Sequence, residues 1–140
     1  MEPAHPSATT SILLPVAIHA FLDQPRVATI ATLAEDGRAQ QAVVWFGLDG
    51  GDLLLNSRRG RRWPTNLERD PRISIAVIDN ELADHWVGVN GLARFLRDGE
   101  AGLRDIQAMA RRYDGDPDAY LGQDRVTYRV VIESTFEYGG

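Results

Sequence analysis

The chain has 140 residues, 44% of them hydrophobic, with no cysteine and a formal net charge of −5. This length makes one domain, the lack of cysteine excludes disulfides, thiolate metal sites and a cysteine nucleophile, and the acidic balance disfavours a general nucleic-acid binder. No apolar run is long enough for a membrane span, and His5, His19 and His85 have no metal-ligand spacing, so neither a membrane nor a metal partner is expected.

Met1 to Ser11 is rich in Pro, Ser, Thr and Ala and lacks the basic and apolar regions of a signal peptide. It is expected to be a disordered tail ahead of a single domain over 12–140, in a cytoplasmic protein. Pro15 to Asp23 reads as a short helix, with Pro15 suited to its first turn and Val16, Ala20 and Phe21 near one face. Arg26 to Ala34 is rich in β-branched residues and reads as a strand. Glu35-Asp36-Gly37-Arg38 is a hairpin turn with Asp-Gly at its centre, and Ala39 to Gly47 returns as a second strand whose apolar end is Val43-Val44-Trp45-Phe46. Asp49-Gly50-Gly51-Asp52 turns into a third strand, Asp52 to Ser57.

That third strand runs into the most informative stretch of the chain. Asn56 and Ser57 end it, and Arg58, Arg59, Arg61 and Arg62 follow around Gly60. Residues 58–72 hold six arginines against two acids, Glu68 and Asp70. A run of charge is ordinarily a solvated loop, but a hydroxyl, a glycine and clustered guanidiniums are also what an anion site requires. A local surplus in an acidic chain suits one specific anion better than a polyanion. All fifteen basic residues are arginine, which we read as a composition bias. Trp63, a loop aromatic beside arginines, can stack on one of them or on a ring ligand.

Pro64 to Arg69 reads as a helical turn or two, Arg72 to Asp79 as a fourth strand and His85 to Leu96 as a fifth, in which Gly88 and Gly91 signal a bulge or a close approach. Gly99 to Tyr113 has Leu103, Ile106, Met109 or Ala110, and Tyr113 at helical spacing. An Asp-rich loop leads to a sixth strand, Arg125 to Glu133. The expected architecture is mainly β (α+β): a six-stranded antiparallel split β-barrel with flanking helices, its first four strands in a meander.

Five segments in this order resemble the split β-barrel flavin- and deazaflavin-dependent superfamily, the pyridoxamine phosphate oxidase-like fold. They are Phe21 to Leu33 with its Glu-Asp-Gly-Arg turn, Val43 to Phe46, Asn56 to Arg62, Asn66 to Arg72, and Ala110 to Tyr113 with the Asp-rich loop. Within that superfamily the chain looks most like the F420-dependent oxidoreductases. The resemblance implies a cofactor groove at a homodimer interface. Trp45, Leu55, Asn56 and Ser57 would line the ring region. Ser57, Arg61 and Arg62 would hold the phosphate, with Trp63 and Asn66 nearby, and Phe46 and Trp86 would face the substrate, Trp86 from the other subunit. Trp63 stands where the family usually has a lysine. The implied activity is hydride transfer from reduced F420 to a small conjugated organic acceptor. An FMN-binding oxidoreductase on the same fold and a non-catalytic cofactor-binding member are the alternatives. No residue announces itself as catalytic; His85 is the one histidine near a plausible site.

Overall fold

A computed structural model describes residues 11–139. The expected disordered tail lies outside the described residues, apart from Ser11, whose hydroxyl accepts from the Ile132 N–H at 2.9 Å.

Helix α1, Val16–Leu22, follows Pro15. Its buried face is Ile18, Phe21 and Leu22, at i, i+3 and i+4; Val16 and Ala20 are exposed instead. Its C-terminal carbonyls are gathered by one distant side chain, since Arg112 donates to Leu22 O at 2.8 Å, Gln24 O at 2.8 Å and Asp23 O at 3.3 Å. Strands β1, Ala28–Leu33, and β2, Ala39–Val44, form the expected hairpin, with Gly37 at a φ of +87° in its turn.

Seven strands are present among the described residues, not six. The chain leaves β2 at Val44, buries Phe46 completely in the core, and starts a separate strand β3, Gly47–Asp49, which pairs with β4, Asp52–Arg58. Helix α2, Arg62–Arg69, is longer than expected and begins before Pro64, which its first turn tolerates. Then come β5, Arg72–Ile78; β6, Trp86–Arg97; helix α3, Gly99–Arg112; a single 3-10 turn, Pro117–Tyr120; and β7, Arg125–Tyr138. The last strand runs well past the expected Glu133.

All pairings are antiparallel, in the order β2-β1-β5-β6-β7-β4-β3. The four-strand meander is therefore corrected: β4 pairs with β7, and β2 and β3, adjacent in sequence, are the two edges of the sheet. The sheet is a split barrel that does not close. Register slips at Asn90/Gly91 and Phe95/Arg97 bend β6 against β7. At the first of these a Cβ on Gly91 would collide with the Val131 carbonyl oxygen, so the close approach expected there is to backbone.

The main core fills the inside of the sheet with Ile30, Phe46, Leu53, Leu55, Val77, Val87, Val89, Val130 and Ile132. A second cluster, Leu54, Ile106 and Met109 with Trp45 and Tyr120 against it, lies between α3 and β4. Strand β4 is thus covered on both faces, which is why its residues from Leu53 to Ser57 are all buried. No helix among the described residues is long and apolar enough to cross a membrane.

Candidate functional site

A groove of about 480 Å³ opens along the free edge of β2, where the sheet fails to close. One wall is β2 from Gln40 to Val44, continuing into Trp45. The opposite wall is the end of β4 with the first turn of α2, and Ile106, Met109 and Tyr120 form the floor. The floor is thus the second apolar cluster, and it suits a flat, largely apolar body. Trp45 is fixed at this floor by stacking on Tyr113, with 5.0 Å between ring centroids and 8° between planes.

The other end is cationic. Arg58, Arg61 and Arg62 line it, and Arg125 joins them from the first position of β7. Arg59, in the middle of the same run, instead pairs with Asp124 at 3.0 Å and with Asp98, which pins the loop. Among the described residues no carboxylate lies within ion-pair distance of Arg58, Arg61, Arg62 or Arg125.

Arg125 is the most telling member. It is only 9% exposed, and its guanidinium is held by hydrogen bonds to neutral oxygens, Nε to Asn56 Oδ1 at 3.0 Å and Nη1 to Gln123 Oε1 at 2.8 Å. It also sits 5.1 Å from the Tyr120 ring centroid. Burial pushes its pKa below the usual arginine value, and Arg61 and Arg58 push the same way. A buried cation without a counter-ion costs free energy, so its environment is one that an anionic ligand would complete.

The sequence-predicted residues divide accordingly. Trp45, Asn56, Ser57, Arg61, Arg62 and Trp63 all line the groove. The Asn56 amide is already used: it donates to Gly102 O and Thr127 Oγ1, both at 2.9 Å, while its oxygen holds Arg125. The Ser57 hydroxyl donates to Arg58 O at 3.0 Å. Trp63 is half-buried, tilted 55° over Tyr128 at 5.9 Å, and packed on the main core.

Four predicted residues lie elsewhere. Leu55 and Phe46 are fully buried core side chains with no access to a ligand. Asn66 is buried under Gln40. Trp86 stands at a separate shallow concavity on the outer face of the sheet, with Thr29, Ala76, Ile78 and Ala83. Sequence reasoning missed Arg125 and Gln40. The available signals were an arginine opening an apolar strand and two glutamines, Gln40-Gln41, inside a β-branched one.

His85 is not at the groove. It bridges Asp79 Oδ2 at 3.1 Å and Glu137 Oε2 at 2.9 Å, tying the ends of β5 and β7 together, with Arg26 3.6 Å from Asp79. Glu137, and then Asp79, raise its pKa above the ordinary 6.5. Backbone N–H groups of Glu81 and Leu82, with His85 and Arg26, hold Asp79 down at about 2. The imidazolium's contribution to stability is complete below the unfolded value near 6.5 and is lost as pH rises through the raised folded value. His85→Gln should therefore lower Tm at about pH 6 and leave it unchanged near pH 9; an equal loss at both would assign the effect to uncharged hydrogen bonds.

Comparison with known proteins agrees with this architecture. Residues 14–139 match the family model described as pyridoxamine 5′-phosphate oxidase. No curated protein matches in sequence. Among solved structures, an F420 reductase is 25% identical with a TM-score of 0.76, over 88% of this chain and 98% of that one. A conserved hypothetical protein from Mycobacterium tuberculosis is also 25% identical, with a TM-score of 0.76 over 91% of this chain and 86% of its own. A heme storage protein from Vibrio cholerae shares the fold at 23% identity and a TM-score of 0.71, over 91% of this chain and 96% of that one.

Proposed function

This chain belongs to the pyridoxamine 5′-phosphate oxidase family, and on that premise we propose that it is an F420-dependent reductase acting on a small conjugated organic acceptor. The observation that carries the reading is the two-ended groove, an apolar floor ending in four arginines that have no counter-ion among the described residues, in a chain similar to an F420 reductase. The donor set fits the cofactor. Arg125, Arg58, Arg61 and Arg62 suit a phosphate, and Met109, Ile106 and Trp45 suit a planar ring. Trp63 supplies no charge where the family usually has lysine, and Arg125 provides a cation to the same groove from a different strand.

Reduced deazaflavin supplies a hydride when bound. The chain's own part is to bind, orient and shield. The arginines would hold the phosphate end, and Trp45, itself held by Tyr113, would bear on the ring. The open edge of β2 presents backbone groups that β1 does not use.

The same reading has a second copy of the chain roofing the groove. Val43 lines the groove and is 71% exposed. It begins a cross-sheet row on the outer face, Val43–Thr29–Ala76–Gly88–Phe136, beside a second row, Ile78–Trp86–Tyr138. Ile78, Phe136 and Tyr138 are also exposed. A two-fold-related copy on this face would cover these side chains and bring its own Trp86 towards the groove. Sedimentation velocity should give a dimer; a monomer at micromolar concentration would remove the second copy from the site.

The test of the function is a fluorescence titration of apo-protein with F420 and, in parallel, FMN. Micromolar binding of F420 but not FMN, followed by oxidation of reduced F420 in the presence of a conjugated acceptor, is the expected result. Binding of FMN alone moves the chain to the FMN-dependent oxidoreductases, and binding of neither overturns the reading.

A further inference from the structure

The wall made by β2 contains a side chain, Gln40, whose orientation is dictated by helix α2, packed on the same face of the sheet. Arg69 reaches back from the end of α2 and donates to Leu33 O at 2.9 Å and to Asn66 Oδ1 at 3.0 Å. A guanidinium has donors only, so the Asn66 atom facing it must be oxygen and the other terminal atom must be the amide nitrogen. That nitrogen lies 3.0 Å from Thr32 Oγ1 and 2.8 Å from the terminal atom of Gln40. An amide nitrogen donates, so Gln40 must offer it oxygen. The Gln40 amide nitrogen is left over, and among the described residues it has no protein partner. Gln40 lines the groove.

We infer that Asn66 and Arg69 are positioning residues that set Gln40 as a hydrogen-bond donor to the bound ligand. The inference rests on the reading of this groove as the cofactor site and refines its specificity. At this point on the β2 wall the ligand must present an acceptor, such as a ring carbonyl, an unprotonated ring nitrogen or an anionic oxygen, and an N–H there is refused. Asn66, which sequence reasoning placed on the cofactor, acts through Gln40. Every polar atom of its side chain is spent inside the protein, and it is 4% exposed. The opposite wall has a parallel device. Arg125 fixes the Asn56 oxygen, and Asn56 in turn spends its amide on Gly102 and Thr127.

The discriminating variant is Asn66→Asp. Its carboxylate keeps the Arg69 partner but has no N–H, so Gln40 turns its amide nitrogen inward and its oxygen towards the ligand. Titration with F420 and FMN should show about a tenfold loss for Asn66→Asp and for Gln40→Leu. The double variant should lose no more than Gln40→Leu alone, because the two residues act on one contact. In the ligand-free protein the side-chain amide resonance of Gln40, assigned by its disappearance in Gln40→Leu, should move in Asn66→Asp. Gln40→Glu, a change at a half-buried position that spares the helix, gives a second route should Asn66→Asp fail to fold. It places a carboxylate in the wall, and it should weaken binding more than Gln40→Leu. Wild-type affinity in Gln40→Leu, or losses that multiply in the double variant, would overturn the inference while leaving the cofactor reading standing. A wild-type protein that binds neither F420 nor FMN would overturn both.

Discussion

Arg125→Gln should weaken binding of the phosphate-bearing cofactor by about 10- to 100-fold without lowering the stability of the ligand-free protein. The expected loss follows from one charge-assisted contact made by a largely buried cation. The expected stability has two opposing parts. Removing the guanidinium relieves its burial and its repulsion with Arg58 and Arg61, the causes that push its pKa down. It also removes the Nε donor to Asn56 Oδ1, and an orphaned buried acceptor costs about 1–3 kcal/mol. Glutamine removes the charge but retains an amide donor for Asn56, so the second part is softened and the first remains. A groove that holds unpaired charge for a ligand pays in stability for its function. Salt should discriminate further, since the affinity of wild type falls more steeply with ionic strength than that of the variant. Melting curves of the apo-protein and titrations at two salt concentrations measure both quantities. Unchanged affinity would mean that Arg125 serves the fold and that the phosphate lies elsewhere.

The elements were legible because each carries a local signal. β-Branched runs gave β1 and β5, Asp36-Gly37 gave the hairpin, and Ile106 with Met109 and Ala110 marked α3. The arginine loop was legible as a cationic end because its residues are consecutive. Strand pairing beyond the first hairpin was not. Whether β4 pairs with β2 or β7 depends on where Phe46 is buried, and that burial is a long-range outcome. Side-chain direction in β4 was not legible either. With α3 covering its second face, Leu53 and Leu55 face the main core and Leu54 the other cluster, so the polar–apolar alternation that reveals an inward face is missing. The family resemblance puts Leu55 at the groove, and nothing in its local pattern shows that its side chain is in the core. Arg125 reads in sequence like any charge at a strand end. What distinguishes it is that Asn56 and Gln123 hold it with neutral oxygens, an arrangement assembled from residues 69 and 2 positions away. Asn66 was legible as important but not as indirect, because only its neighbours show that its amide is fully spent.

The largest effect on stability is expected from a change that would ordinarily help. Replacing a helical glycine by alanine usually gains about 1 kcal/mol, and Gly102 lies in the first turn of α3. Here a Cβ would collide with the Arg125 carbonyl oxygen and stand 3.0 Å from its carbonyl carbon. Both are backbone atoms of the first residue of β7, held opposite Arg58 in the ladder with β4, and cannot swing aside as a side chain can. The helix must therefore lift, and overpacking of this kind costs about 1–3 kcal/mol or more, enough to outweigh the propensity gain. The displacement also reaches the groove. Gly102 O accepts the Asn56 amide, so a lifted helix withdraws one of the two acceptors of that amide, and Asn56 is what orients Arg125. Gly102→Ala should lower the urea midpoint and cofactor affinity together, whereas Arg125→Gln lowers affinity alone. A Gly102→Ala protein as stable as wild type would show that α3 shifts without cost. A destabilised variant with intact affinity would uncouple Asn56 from the orientation of Arg125.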